Sequence, residues 1–481
     1  PLPGIYIPRK LIWRCVGSRG LTTVCIYRAD LHAIELRNSG AWTQDLMIPW
    51  AADASVIVGL TSIFWREAWK YRERAYRYCC HDLGHAMMSI LLAARALGLH
   101  GGALAHFSDA RMTRTLGLSG GDEAPMAFLA FQQKSFSAHG SEPPQEIFAE
   151  IPNKLSGEEV PYKLLLGIHC ATILPDPAGR IPQTVQEDAA SDDIQSLKSV
   201  PLREPGRDTN LGTVVRTRRS ALDFEPRTPF MERSDLEQLL DFATRDWAAD
   251  WRGNFGSGEI SSARSGTDFV TLYLYVHRVT GCEPGVYRWD IKSRRLEQLH
   301  RGNVERVAAF LSLEQTLAGN SCFTVSMVAD FSRAAQTFGN RGYRSVYFEA
   351  GAIGQRLYLG AEALGWNATG IGAFYDDDVH RYLGFLEEID GSVDDSVRDA
   401  ERSTLVMLDS PASRHAAGLG ANAADSVPEI SGAGSDELSG EGQLGAKKVK
   451  TALPSDSKKL PRQVIYHFAV GRAIPDPRIE D

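Results

Sequence analysis

The sequence repeats itself. Residues 62–99 read SIFWREAWKYRERAYRYCCHDLGHAMMSILLAARALGL, and residues 329–366 read ADFSRAAQTFGNRGYRSVYFEAGAIGQRLYLGAEALGW. A shift of 267 positions aligns them without a gap. Arg66 then meets Arg333, and Arg74, Tyr76 and Arg77 meet Arg341, Tyr343 and Arg344. Asp82 meets Glu349, Gly84 meets Gly351, and Leu97-Gly98 meets Leu364-Gly365. The apolar runs just upstream, 54–60 and 321–327, align at the same shift. Earlier in each half, Tyr27-Arg28-Ala29-Asp30 resembles Tyr287-Arg288-Trp289-Asp290 at a shift of 260. Two segments repeated in the same order, at a period far longer than that of solenoid arrays, point to duplication of a whole domain.

Coarse structure follows from the repeat. The short, apolar, partly β-branched runs 54–60 and 322–327 read as buried strands. Residues 77–97 and 344–364 read as helices, because apolar residues recur at spacings of three and four and a Gly follows each. VTLYLYVH at 270–277 is a strand, 285–299 a hairpin, and VIYHFAVG at 464–471 a strand that completes a sheet begun earlier. The expected fold class is α+β. The expected divisions are a first repeat over 1–133, a linker over 134–210 with an apolar piece at 162–174, and a second repeat over 211–410. A disordered insertion over 411–460 and a closing strand within 461–481 follow.

Composition excludes several classes. The 481 residues are 43% hydrophobic, enough for two or three domains with cores. A formal net charge of −8 leaves no basic excess for a nucleic acid. No apolar run is long enough to span a bilayer. Seven cysteines without framework spacing read as reduced thiols in a cytoplasmic protein. The start, PLPGIYIPRKLIW, lacks the order of a signal peptide and lacks an initiator Met, so the chain reads as processed or as a fragment.

Several strings carry candidate chemistry beside a plainer meaning. Arg218-Arg219-Ser220-Ala221-Leu222-Asp223-Phe224 offers a guanidinium and a hydroxyl to a phosphate, or is a solvated turn. Thr369-Gly370-Ile371-Gly372-Ala373-Phe374 offers backbone N–H groups that a flat ligand can approach, or is a helix-to-strand turn that needs Gly for conformation. Arg472 and Arg478 follow the last strand and, on the plainer meaning, are two exposed arginines near the end of the sequence. Lys70-Tyr71, within WREAWKYRERAYR, can remove and relay a proton, or can belong to a helix start whose arginines pair with Glu67 and Glu73. His81-Asp82-Leu83-Gly84-His85 has zinc-compatible spacing with Cys79 and Cys80 beside it. The repeat puts Phe348 and Ala352 at the two His positions, which favours packed helix residues over a metal site.

Taken in order, these strings resemble the FMN-dependent nitroreductase superfamily, in the branch of SagB-type, azoline-oxidising dehydrogenases. The resemblance covers about residues 27–130, 214–405 and 464–481. It implies a nitroreductase-like fold in two tandem copies forming a pseudo-dimer, the first copy N-terminally incomplete, with FMN seated mainly on residues 214–481. It implies phosphate contacts from Arg218, Ser220, Arg472 and Arg478, flavin-edge contacts from Gly370, Gly372 and Ala373, and catalysis by Lys70 and Tyr71. The second half has Thr337 and Phe338 at the positions of that pair. The family's P-S-[SA]-G-N-like loop has no counterpart in the first half, and Ala263-Arg264-Ser265-Gly266 is a degenerate relative in the second. The implied function is hydride transfer through flavin N5 to a small-molecule or peptide substrate, azoline-like heterocycles among them. Two alternatives are an NAD(P)H-dependent nitro- or quinone reductase and an inert scaffold subunit.

Overall fold

The computed structural model describes residues 11–16, 22–28, 32–39, 54–118, 123–132, 146–147, 159–175, 210–227, 230–252, 269–385 and 462–476. Residues 1–389 and 461–481 form one compact unit. The expected insertion at 411–460, the Ala263–Gly266 string and Arg478 lie outside the described residues.

The first half runs β1 (Leu11–Val16), β2 (Thr22–Arg28), β3 (Ala33–Ser39), β4 (Val56–Ile63), α1 (Trp65–Tyr71), α2 (Ala75–Ala96), β5 (His100–Leu104), α3 (Asp109–Thr115), β6 (Glu123–Gln132), β7 (Glu146–Ile147) and α4 (Lys163–Ala171). The second half opens with α5 (Leu211–Thr217), β8 (Met231–Glu232), α6 (Arg233–Ala243), β9 (Val270–Val276) and β10 (Val279–Thr280). It continues with β11 (Gly285–Asp290), β12 (Arg295–Arg301), α7 (Glu305–Leu311), α8 (Thr316–Asn320) and β13 (Phe323–Ala329). It closes with α9 (Phe331–Phe338), α10 (Gly342–Ala363), β14 (Asn367–Ile371), α11 (Asp376–Tyr382) and β15 (Gln463–Gly471).

The two large sheets share one strand order. The first is β5-β6-β4-β1-β2-β3, with β7 added at its edge, and the second is β14-β15-β13-β9-β11-β12. Strand β1 of the first sheet holds the place that β9 holds in the second. β15 enters between β13 and β14, as a strand returning to finish the sheet should. The supposed linker is also partly built. Helix α4 sets His169 Nδ1 3.2 Å from Arg344, and Thr172 just beyond it accepts from Arg344 Nε at 2.8 Å.

Helices α2 and α10 occupy matching positions in the repeat and pack on one another through Gly84 and Gly351. A Cβ on Gly84 would stand 2.3 Å from the Phe348 carbonyl oxygen, and one on Gly351 would stand 2.1 Å from the His81 carbonyl oxygen. Phe348 and His81 are themselves related by the 267 shift. Both neighbours are backbone and cannot give way, so this close approach demands glycine on both helices.

Other contacts between the halves are reciprocal in the same sense. Asp109 binds Arg341 and Arg344, and its repeat mate Asp376 binds Arg74 and Arg77. Arg341 donates to the Ala105 carbonyl at 2.7 Å, and Arg74 to the Gly372 carbonyl at 3.5 Å. The Arg341 guanidinium lies 4.5 Å over the Phe107 ring, and that of Arg74 4.8 Å over Phe374.

Candidate functional site

One junction gathers most of the residues the sequence singles out. The segment carrying Arg218 and Ser220 runs along the open edge of β14. Ser220 bridges to Ala368, and the Ala221 N–H donates to the Ala368 carbonyl at 3.0 Å. Tyr358 of α10 stands behind it. Its hydroxyl lies 2.9 Å from Ser220 Oγ and accepts from the Gly370 N–H at 2.9 Å, while its ring carries the Arg218 guanidinium at 4.8 Å. Arg218 and Ser220 are thus held side by side, partly open to solvent, a guanidinium and a hydroxyl that can both donate to an anion.

The first half supplies the facing wall. The Tyr78 hydroxyl donates to the Gly372 carbonyl at 2.9 Å and accepts from Arg74 Nε at 3.1 Å. Tyr71 packs edge-on against Tyr78 with ring centroids 4.7 Å apart. Lys70 Nζ sits 5.2 Å from the Tyr71 ring centroid, on an exposed side chain. Lys70-Tyr71 therefore reaches the Gly372 loop through Tyr78. Deeper in, His85 places Nδ1 3.1 Å from Gln355 and Nε2 3.2 Å from the Tyr466 hydroxyl. The Tyr466 ring stacks on His81 at 4.3 Å.

The glycines have a physical reason that the sequence did not reveal. A Cβ on Gly370 would stand 2.2 Å from the Tyr466 hydroxyl, and one on Gly372 would stand 2.7 Å from the Tyr78 ring. The protein's own aromatic groups take that space. What stays open is the backbone edge. Among the described residues, nothing accepts a hydrogen bond from the Gly372 or Ala373 N–H. Neighbouring open donors beside a guanidinium and a hydroxyl can take a flat, electron-rich ring that carries an anionic group.

Electrostatics keep the inner groups neutral. Burial lowers His85 to about 4, and the nearby Arg218 charge pushes the same way against the Gln355 hydrogen bond. Burial also holds His81 well below the ordinary histidine range and Tyr466 well above the ordinary tyrosine range. The Tyr78 hydroxyl is raised by burial, against the pull of Arg74. His81 is stacked on Tyr466 and His85 is hydrogen-bonded in this wall, and no metal-ligand cluster occurs among the described residues.

Arg472 stands elsewhere. Its guanidinium donates to the Gly365 carbonyl at 2.8 Å and lies 5.0 Å over the Trp366 ring, at the opposite end of β14 from Gly372. Sequence reasoning missed Tyr78, Tyr358 and Tyr466, which hold the site's parts together. Tyrosines inside apolar helices and strands look like core, and nothing local marks them as hydrogen-bonding hubs.

The profile of the Nitroreductase family matches residues 33–131 and 215–390, more than half of the chain. The chain belongs to the nitroreductase family. Members of this family are oxidoreductases, and each half of this chain carries one of the matched segments. A crystal structure from Anabaena variabilis, named for a nitroreductase, superposes with a TM-score of 0.62 at 20% identity. It covers 97% of this chain and 80% of that one, a likeness of fold. A Methanocaldococcus jannaschii protein named as a nitroreductase, MJ1384, is 29% identical over 118 residues, 24% of this chain. The match spans 60% of that relative's length. A nitroreductase from Exiguobacterium sibiricum in complex with FMN covers 56% of this chain at 10% identity and a TM-score of 0.27, too low to argue from. Among the described residues, no helix is long and apolar enough to cross a membrane.

Proposed function

We propose that this nitroreductase-family chain is an FMN-dependent oxidoreductase with one flavin site, at the junction of two fused copies acting as a pseudo-dimer. The observation that carries the proposal is the meeting at Gly372. Open backbone donors of the second half lie beside the Arg218–Ser220 clasp and against the first half's Tyr71–Tyr78 wall. The reciprocal contacts support the pseudo-dimer, since an isologous interface pairs residue with residue in both directions.

Bound FMN would supply two-electron hydride chemistry at its N5 edge. Arg218 and Ser220 would hold the phosphate, with Arg478 as a further candidate cation. The Gly372 and Ala373 N–H groups, in the loop opened by Gly370, would hold the ring edge and steady charge there. Tyr71 orients at the mouth, and Lys70, exposed beside it, takes or returns the proton of a substrate entering from solvent. The buried neutral histidines keep this wall free of competing charge.

The substrate class proposed is a small azoline-like heterocycle or a peptide bearing one, in a cytoplasmic setting, with NAD(P)H as a candidate co-substrate. The resemblance of WREAWKYRERAYR carries that choice. The test of the site is FMN titration by fluorescence quenching. Arg218→Ala should weaken binding by about tenfold or more with Tm unchanged, because Arg218 is half-exposed. Equal affinity in the variant would remove the phosphate assignment.

A further inference from the structure

The two halves differ at the loop that follows β5 and β14. Ala105 and His106 stand, at the 267 shift, where Gly372 and Ala373 stand in the second half. In both loops the first residue's carbonyl takes an arginine from the other half, Arg341 at Ala105 and Arg74 at Gly372. The N–H groups differ. Those of Ala105 and His106 are taken by Asp250: Ala105 N–H lies 3.0 and 2.9 Å from the two carboxyl oxygens, and His106 N–H donates at 2.8 Å.

Asp250 arrives there by design of the chain path. The segment 248–250 extends the edge of β5, with the Ala103 N–H donating to the Ala248 carbonyl at 2.9 Å and the Asp250 N–H to the Ala103 carbonyl at 3.0 Å. That segment belongs to the second half and is anchored to it. Arg252 pairs with Asp246 at 3.0 Å and with Glu349 of α10 at 3.3 Å, and Arg356 donates to the Arg245 carbonyl. Asp250 is buried, and burial raises its carboxyl to about 6 against the pull of the His106 and Ala105 donors.

We propose that Asp250 is an internal plug. The first half retains a two-donor, carboxylate-accepting site equivalent to the open one, and the second half fills it with its own side chain. The molecule is thereby built with one ligand site instead of two. The equivalence rests on the flavin reading of the Gly372 loop, whereas the carboxylate site at Ala105–His106 stands on its own geometry.

The test is chemical rescue. Asp250→Ala leaves the buried Ala105 N–H and the half-buried His106 N–H without their acceptor and should lower Tm on the order of 5 °C. Formate at tens of millimolar, about the shape of the lost group, should restore much of that loss and leave wild type unmoved. Should Asp250→Ala not fold, Asp250→Asn carries the test. It keeps one oxygen for both N–H groups but turns the other, 3.0 Å from the Ala105 nitrogen, into a donor facing a donor, and should melt below wild type. The proposal is overturned if either variant melts with wild type, if formate leaves folded Asp250→Ala unmoved, or if wild type takes up two FMN per chain. Wild type that takes up no FMN while formate rescue succeeds overturns the flavin reading alone.

Discussion

At Asp109 the side chains of Arg341 and Arg344 are 2% and 0% exposed, whereas Arg74, Arg77 and Asp376 are each 31% exposed. The same pair of contacts is thus made once in the interior and once at the rim. Removing one partner of a buried ion pair strands the other, so Asp109→Ala should cost about 3–5 kcal/mol in a denaturant titration. Asp376→Ala, screened by water, should cost about 1 kcal/mol or less. Equal costs would mean that the two carboxylates are not set apart by burial. pH gives a second handle. Burial pushes the Asp109 carboxyl up, but Arg341, Arg344 and the Leu174 N–H outweigh it, and its pKa lies below the ordinary value. A carboxyl lowered in the folded state contributes stability above its unfolded pKa and loses it as pH falls through the folded one. The stability gap between wild type and Asp109→Asn should therefore shrink as pH falls below about 4. A gap constant down to pH 2 would contradict that coupling. Lys70→Ala should lower turnover by about 100-fold or more while FMN content and Tm stay put, the side chain being exposed. Undiminished turnover would remove Lys70 from the mechanism.

At the scale of elements, the turn after α1 sets the two halves apart. Arg72 has φ +51 and its repeat mate Gly339 has φ +56. Only the second half uses the residue suited to that conformation, so the first half stores strain directly after Lys70-Tyr71. Arg72→Gly should relieve it and raise stability by about 1 kcal/mol or more in thermal melts. No gain would mean that the turn is already relaxed. Where α2 meets α10, Gly84→Val should be destabilising by about 3 kcal/mol or more, because the Phe348 carbonyl fills the space. The long helices and apolar strands were legible because 22-residue amphipathic periodicity and short β-branched runs have few other uses. β5, HGGAL, was not legible. Its two glycines look like a turn, yet a Cβ at Gly101 would stand 2.1 Å from the Ala130 carbonyl, so one of them is there for close packing inside a sheet.

Over the whole molecule, the duplication was the most readable fact, and it extends further than the strings first aligned. FSDARMTRTLG at 107–117 and FYDDDVHRYLG at 374–384 keep the 267 shift, and with it Asp109 and Asp376. Following the shift that far would have found the reciprocal ion pairs without coordinates. Asp250 could not be found that way. Its role comes from a chain path that crosses from one half to the other. Of the proposed flavin residues, Arg218, Ser220, Gly370, Gly372 and Ala373 lie together, while Arg472 lies at the far end of β14. A short motif gives residue types, but only packing decides which way an arginine at a strand end turns. The central claim is one flavin site made by both halves, and the visible spectrum of the purified chain during titration with FMN tests it most directly. The account predicts a yellow protein saturating at one FMN per chain. A colourless protein that takes up no FMN would contradict it.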